Sequence, residues 1–313
     1  MQKKRKIAIA KTGLQMKKLR SSDEAVVGIV VTVLLIGLIL AVMVMINTVY
    51  VPQWTEGSEA AHMEEVSNQF TQLKYALDIQ SIVNDSTSIT TSVTLGSREI
   101  PFFNSGRTFG SLEIVEDSFN ITIDRWDNAT GKNITCSSNL TDSIKYSSGN
   151  SYFVNQQYIY EAGALILSQG ESNVLYGKPS LSVTGKNNSF GYGNTSIIRF
   201  TLVNISGVSG KTFVSGYGTY PIYTELKDVH PSYDEYYDIS NVTYINITTK
   251  YTNAWNKTIY SVFLHHLNET HYSLTEYVNG RIEIKFNDPS KDYYNLRIKV
   301  VDISAQISSG IAE

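Results

Sequence analysis

Twelve asparagines stand two positions before a serine or threonine with no proline between: Asn84, Asn120, Asn128, Asn133, Asn139, Asn187, Asn194, Asn204, Asn241, Asn246, Asn256 and Asn268. This Asn-x-Ser/Thr spacing is the acceptor pattern for N-linked glycan. The composition alone would supply about four or five such triplets. Several of the twelve are therefore expected to carry glycan, and others to lie buried in strands. Other reactive patterns are weaker. "ISGVSGKT", ending at Thr212, imitates a phosphate loop, but the required first glycine is Ile205. His230 with Asp234, Glu235 and Asp238 could offer oxygens to a hard cation; a solvated acidic loop is the plainer reading. There is no His-Glu-x-x-His, no Gly-x-Ser-x-Gly, and one cysteine, Cys136, which excludes an intrachain disulfide and reads as a small buried hydrophobe. No enzyme and no cofactor are expected.

The elements that must carry these residues begin with an apolar run. From Ala25 to Ile46 no side chain is charged. As a helix it spans roughly 33 Å, enough for a hydrocarbon core of ~30 Å. Eight of the chain's 26 bases precede it, Lys3, Lys4, Arg5, Lys6, Lys11, Lys17, Lys18 and Arg20, with no acid among residues 1–20. Beyond it, 18 bases face 27 of the 29 acids. Positive charge stays on the cytoplasmic side, so the expectation is a single span with the N-terminus inside and the bulk of the chain outside. Tyr50 and Trp54 fit an aromatic anchor at the outer interface. The lipid bilayer is the expected partner. The acidic outer part argues against nucleic acid.

The expected organisation is α+β: a basic leader over 1–20, a transmembrane helix over 21–47, a helical stalk over 48–86, and an antiparallel β-rich, sandwich-like ectodomain over 87–313. Pro52 predicts a kink or short break, followed by a helix from Glu56 to Val83. There Met63, Val66, Phe70, Leu73 and Leu77 recur at steps of three and four, a narrow seam. The seam suits either neighbouring helices of like subunits or the chain's own β domain. After Asn84-Asp85-Ser86, short alternating runs predict strands, among them 120–124, 152–158, 164–168, 196–203, 242–248, 259–265 and 296–301. Asn279-Gly280 predicts a two-residue hairpin turn that sends Ile282, Ile284 and Phe286 to one face. The stretch from Ser206 to Tyr220 reads as a Gly-rich loop or a subdomain seam.

Ser21-x-x-Glu24 before the apolar run fits a helix capping box. The same region carries a resemblance. A short basic leader, small and acidic residues, then "AVVGIVVTVLLIGLILAV" resembles the N-terminal segment of archaeal type IV pilins and archaellins. "YVPQWTEGSEAAHMEEVSNQFTQLKYALD" and "YIYEAGALILSQG" are similar to a group of archaeal pilin-like membrane proteins. The resemblance implies cleavage of the leader near Arg20 and Ser21, bundling of the apolar helices, and pairing of Glu24, or alternatively Asp23, with a neighbour's new amino terminus. The function it implies is a structural or adhesive surface subunit. The capping box accounts for both acids without any polymer, and leaves a monomeric anchored surface glycoprotein as the alternative.

Overall fold

The computed structural model describes residues 26–83, 86–97, 108–186, 195–230, 237–264, 267, 272–286 and 293–307. The chain divides into two compact units, Met1–Thr55 with Ile100–Ser105, and Glu56–Glu99 with Gly106–Glu313. One long apolar helical stretch and a large mixed β-sheet make it an α+β protein.

In the first unit, residues 26–45 form helix α1, and Ile46–Tyr50 continues it as one π-helical turn into α2, Val51–Val83. The expected break at Pro52 is absent. A proline inside a helix lacks a donor and crowds the carbonyl four residues back. Here the preceding turn widens, and Val51 N–H reaches the Ile46 carbonyl, so the chain stays helical through Pro52.

Among the described residues the second unit holds α2 from Glu56 on, fifteen strands and one more helix. The strands are β1 Ile89–Thr94, β2 Phe109–Asp127, β3 Lys132–Gly149, β4 Gln157–Glu161, β5 Ala164–Gln169, β6 Ser172–Gly177, β7 Ser180–Lys186 and β8 Thr195–Gly207. They continue as β9 Phe213–Gly216, β10 Thr219–His230, β11 Tyr237–Ile239 and β12 Val242–Thr249. After helix α3, Thr252–Leu264, come β13 Tyr272–Tyr277, β14 Arg281–Phe286 and β15 Tyr293–Ile307. The main path runs β1-β10-β15-β8-β3-β2-β12-β14-β13, and β4, β5 and β6 branch in series from β3. The path narrows at β3–β8, which meet at one register pair, Asp142 with Ile205. Side chains reinforce that joint: Ile205 N donates to Thr141 Oγ1 at 3.0 Å, and Gly207 N to Asp142 Oδ2 at 3.0 Å.

Two hydrophobic clusters fill the unit. One gathers Phe119, Ile121 and Ile123 of β2, Ile198 and Phe200 of β8, Ile298 of β15, and Trp255, Ile259 and Phe263 of α3. The other gathers Met63, Val66, Phe70, Leu73 and Leu77 of α2 against Leu112, Ile144, Tyr146, Tyr158, Val203 and Ile303. The α2 seam is covered by the chain's own strands, so it offers no face to neighbouring subunits. Residues 56–83 are built into the β unit rather than standing free as a stalk.

Several other expectations are corrected. The sheet is mixed: β15 runs parallel to β8 from Tyr293 opposite Thr195 to Ala305 opposite Gly207. Residues 259–265 were expected as a strand, but Ile259 to Leu264 close α3. The strand expected at 152–158 begins only at Gln157. The 206–220 stretch holds the end of β8, all of β9 and the start of β10. The hairpin turn spans three residues, 278–280, because Tyr277 pairs with Arg281. Only Gly280 there has positive φ, at +81°. Ile282, Ile284 and Phe286 are buried as read. Cys136 is exposed, its Sγ donating to the Ile123 carbonyl at 3.3 Å.

Candidate functional site

The first unit offers chemistry by having almost none. From Val26 to Met45 every large apolar side chain is exposed, between 46% at Val42 and 68% at Leu34. Its few polar groups are turned inward on the backbone. Thr32 Oγ1 donates to the Gly28 carbonyl at 2.8 Å, Asn47 Nδ2 to Met43 at 2.9 Å and Thr48 Oγ1 to Val44 at 2.8 Å. This is how a helix carries a hydroxyl or amide into a medium without water. The Tyr50 and Trp54 rings lie 5.8 Å apart just beyond. The stretch is long and apolar enough to cross a membrane. Arg20, Ser21 and Glu24 lie outside the described residues.

In the second unit, the polar residues of α2 fix it to the sheet. Glu59 is fully buried, and its carboxylate accepts from Ser151 N, Tyr152 N and Phe153 N at 2.9, 2.8 and 2.6 Å. One side chain thereby holds the turn between β3 and β4. Three consecutive backbone N–H donors on one carboxylate make a charge-assisted clamp. Further along, His62 Nε2 lies 3.2 Å from Tyr146 Oη, which donates to the Leu95 carbonyl at 3.1 Å. The one phenolic proton is spent on Leu95, so His62 is the donor. Burial lowers its pKa below the ordinary 6.5, which favours the neutral imidazole. Gln69 accepts from Thr94 N at 2.8 Å, and Gln80 donates to the Thr87 and Thr224 carbonyls at 3.2 and 3.1 Å.

A second buried carboxylate, Glu161, ends β4 beside the tight Ala162-Gly163 turn, where both φ values are positive. Its Oε1 accepts from Thr249 Oγ1 at 2.7 Å and Trp255 Nε1 at 2.8 Å, and its Oε2 is buried without a partner. Burial pushes its pKa up to about 7. It joins β4, β12 and α3 inside the core. Sequence reasoning missed Glu59 and Glu161, since the spacing of a carboxylate says nothing about its burial. Trp255, in a stripe with Ala254, Thr258, Ile259 and Phe263, was the available signal for α3.

A cleft of about 290 Å³ is lined by Asn139, Asn204, His230, Tyr237 and Asp302 among others. His230 Nε2 lies 3.2 Å from Asp228 Oδ2 and 3.4 Å from Asp302 Oδ2. These are not the oxygens expected from sequence. Asp238 pairs instead with Arg297 at 2.7 Å, and Asp234 and Glu235 lie outside the described residues. Among the described residues no group of His, Cys, Asp or Glu is arranged to hold a metal. Lys211 of the false phosphate loop donates to Gln306 Oε1 at 3.1 Å. His265, His266 and His271 fall outside the described residues, as do the sequons at Asn84, Asn187, Asn194 and Asn268. The structure brings Asn128, Asn133 and Asn241 to one end of the β2–β3 ribbon and spreads Asn120, Asn139, Asn204, Asn246 and Asn256 over strands and α3. No family model, curated protein or solved structure matches the chain.

Proposed function

We propose that this chain is a cell-surface structural or adhesive subunit of the archaeal type IV pilin-like class, anchored or assembled through its N-terminal helix. One observation carries the reading. Residues 26–45 present apolar side chains on every side, whereas Met63 to Leu77 are used up in a β core. A helix apolar all round is stable only in lipid or among helices of its own kind. The basic residues 1–20 remain in the cytoplasm and the β unit stands outside. Within a bundle, Glu24 near the hydrocarbon edge is offset by the amine of a cleaved neighbour. The absence of a second free seam on α2 favours the alternative, a monomeric anchored surface glycoprotein that binds a ligand or envelope partner.

The test is to image surface filaments and sequence the mature N-terminus in unmodified and Glu24→Ala cells. The expected result is a mature chain that begins just after Arg20, in filaments that Glu24→Ala abolishes without loss of membrane insertion. A chain that keeps Met1 to Arg20 and occurs only as dispersed membrane monomers overturns the proposal and leaves the alternative.

A further inference from the structure

The eight sequon asparagines among the described residues differ in what their carboxamides do. Asn139 Nδ2 donates to Ser137 Oγ at 3.0 Å, Asn204 Nδ2 to Asp302 Oδ1 at 2.6 Å, and Asn256 Nδ2 to Glu276 Oε2 at 2.9 Å. Asn120 and Asn246 sit inside strands paired on both sides: β2 lies between β3 and β12, and β12 between β2 and β14. Asn120 Oδ1 is buried without a partner, and Asn246 Oδ1 takes two bonds from Arg281, at 3.2 and 2.8 Å.

The remaining three converge. Asn128 is exposed in the turn that joins β2 to β3. Asn133 is exposed one residue into β3, opposite Trp126. Asn241 leads into β12 at φ +60°, and its carbonyl accepts from Trp126 N at 2.9 Å. Asn133 Oδ1 accepts from Thr243 Oγ1 at 3.0 Å, the hydroxyl of the Asn241 triplet itself. Among the described residues, none of these three Nδ2 atoms has a hydrogen-bond partner.

We propose that Asn128, Asn133 and Asn241 carry N-linked glycans that form one cluster at the free end of the β2–β3 ribbon, and that the other five described sequons stay bare. The proposal rests on the outward placement of the β unit given above. The donor is a polyprenyl-phosphate-linked oligosaccharide. The asparagine Nδ2 bonds to the anomeric carbon as the carbon–oxygen bond to phosphate breaks. The lipid phosphate leaves with that electron pair, and the nitrogen gives up one proton to a base of the transferase; nothing is oxidised or reduced. An Nδ2 turned onto Asp302 or Glu276 has neither the open approach nor room for a sugar. At the ribbon tip Asn128 and Asn133 are exposed and Asn241 is half-buried with its Nδ2 not turned onto an acceptor, and the Trp126 indole, 38% exposed between Asn133 and Asn241, comes under sugar cover. The opposite end of the ribbon, where Phe109 pairs with Gly149, adjoins the turn held by Glu59. With 19 residues in β2, the cluster stands roughly 60 Å along the strand from that end.

Glycopeptide mapping and intact mass of the full chain from its native source test this. Glycan is expected on Asn128, Asn133 and Asn241, and Asn128→Gln, Asn133→Gln and Asn241→Gly should each remove one glycan mass; glycine suits the positive φ at 241. Asn204→Gln and Asn256→Gln should change the mass only by the substitution. Glycan on Asn120, Asn139, Asn204, Asn246 or Asn256, or a bare tip, overturns the proposal. External protease on intact cells separates the two failures. A bare tip on a β unit that the protease cuts defeats the glycan cluster alone, whereas a β unit shielded from a protease shown to have access defeats the outward placement with it.

Discussion

Glu161 sits where a carboxylate is least at ease. Its ordinary pKa of 4.5 rises to about 7 because burial penalises the charged form more than Thr249 and Trp255 stabilise it. Between those values the folded chain binds a proton that the unfolded chain has lost. Stability is therefore greatest below about 4.5 and falls as pH rises through about 7, by roughly 3 kcal/mol for a shift of this size. Glu161→Gln keeps an acceptor for Thr249 and Trp255 and has nothing to titrate. Urea unfolding from pH 4.5 to 8 should show the decline in the parent and its loss in Glu161→Gln; parallel curves would show that Glu161 ionises without strain. Glu59 is also fully buried, but its carboxylate meets three backbone donors, whereas one oxygen of Glu161 meets none.

Helix α2 shows the same logic at the next scale. Phe70 is fully buried and its ring lies 6.4 Å from Tyr146 and 5.9 Å from Tyr158. Phe70→Ala should destabilise the β unit by about 3–5 kcal/mol. Tyr75→Ala, one turn on but 69% exposed, should change it by no more than about 0.5 kcal/mol. Equal effects in denaturant unfolding would mean that the seam does not hold α2 to the sheet. The seam was legible because steps of three and four are a helical period, and the β13–β14 hairpin because its alternation is strict. Helix α3 was not, since "TIYSVFL" mixes β-branched and aromatic residues that suit either state, and the decision lies in the tertiary contacts of Trp255. The parallel pairing of β8 with β15 left no local trace, because periodicity says which face is buried and not which strand lies alongside. Of the site residues, the sequons were legible as a pattern. Their sorting was not, because it depends on Asp302, Glu276 and Arg281, distant or cross-strand in the sequence.

For the whole molecule, the proposed orientation follows from the basic residues 1–20 set against the acidic remainder. Protease added to intact cells should degrade the β unit and leave an epitope within residues 1–20 intact, whether on the uncleaved chain or on the leader released inside. Loss of that epitope, with the β unit protected, would reverse the topology. The fifteen strands lie on the outer side in this arrangement without any disulfide, because Cys136 is alone. Burial and strand pairing must hold the unit together unaided.

The place of β15 has a consequence for how such a unit is made. It lies between β10 and β8 within the sheet, yet among the described residues it is the last strand along the chain. In the topology proposed above the N-terminus stays in the cytoplasm and the β unit crosses in chain order, so β8 and β10 stand with unpaired inner edges until residues 293–307 arrive. Contacts between segments so far apart in sequence form slowly, and open strand edges recruit other chains while they wait. Export of this protein should therefore be sensitive to the pace of translocation: a stall before β15 leaves a sticky half-sheet at the cell surface, and a rapid finish lets the strand slot home before neighbours can pair.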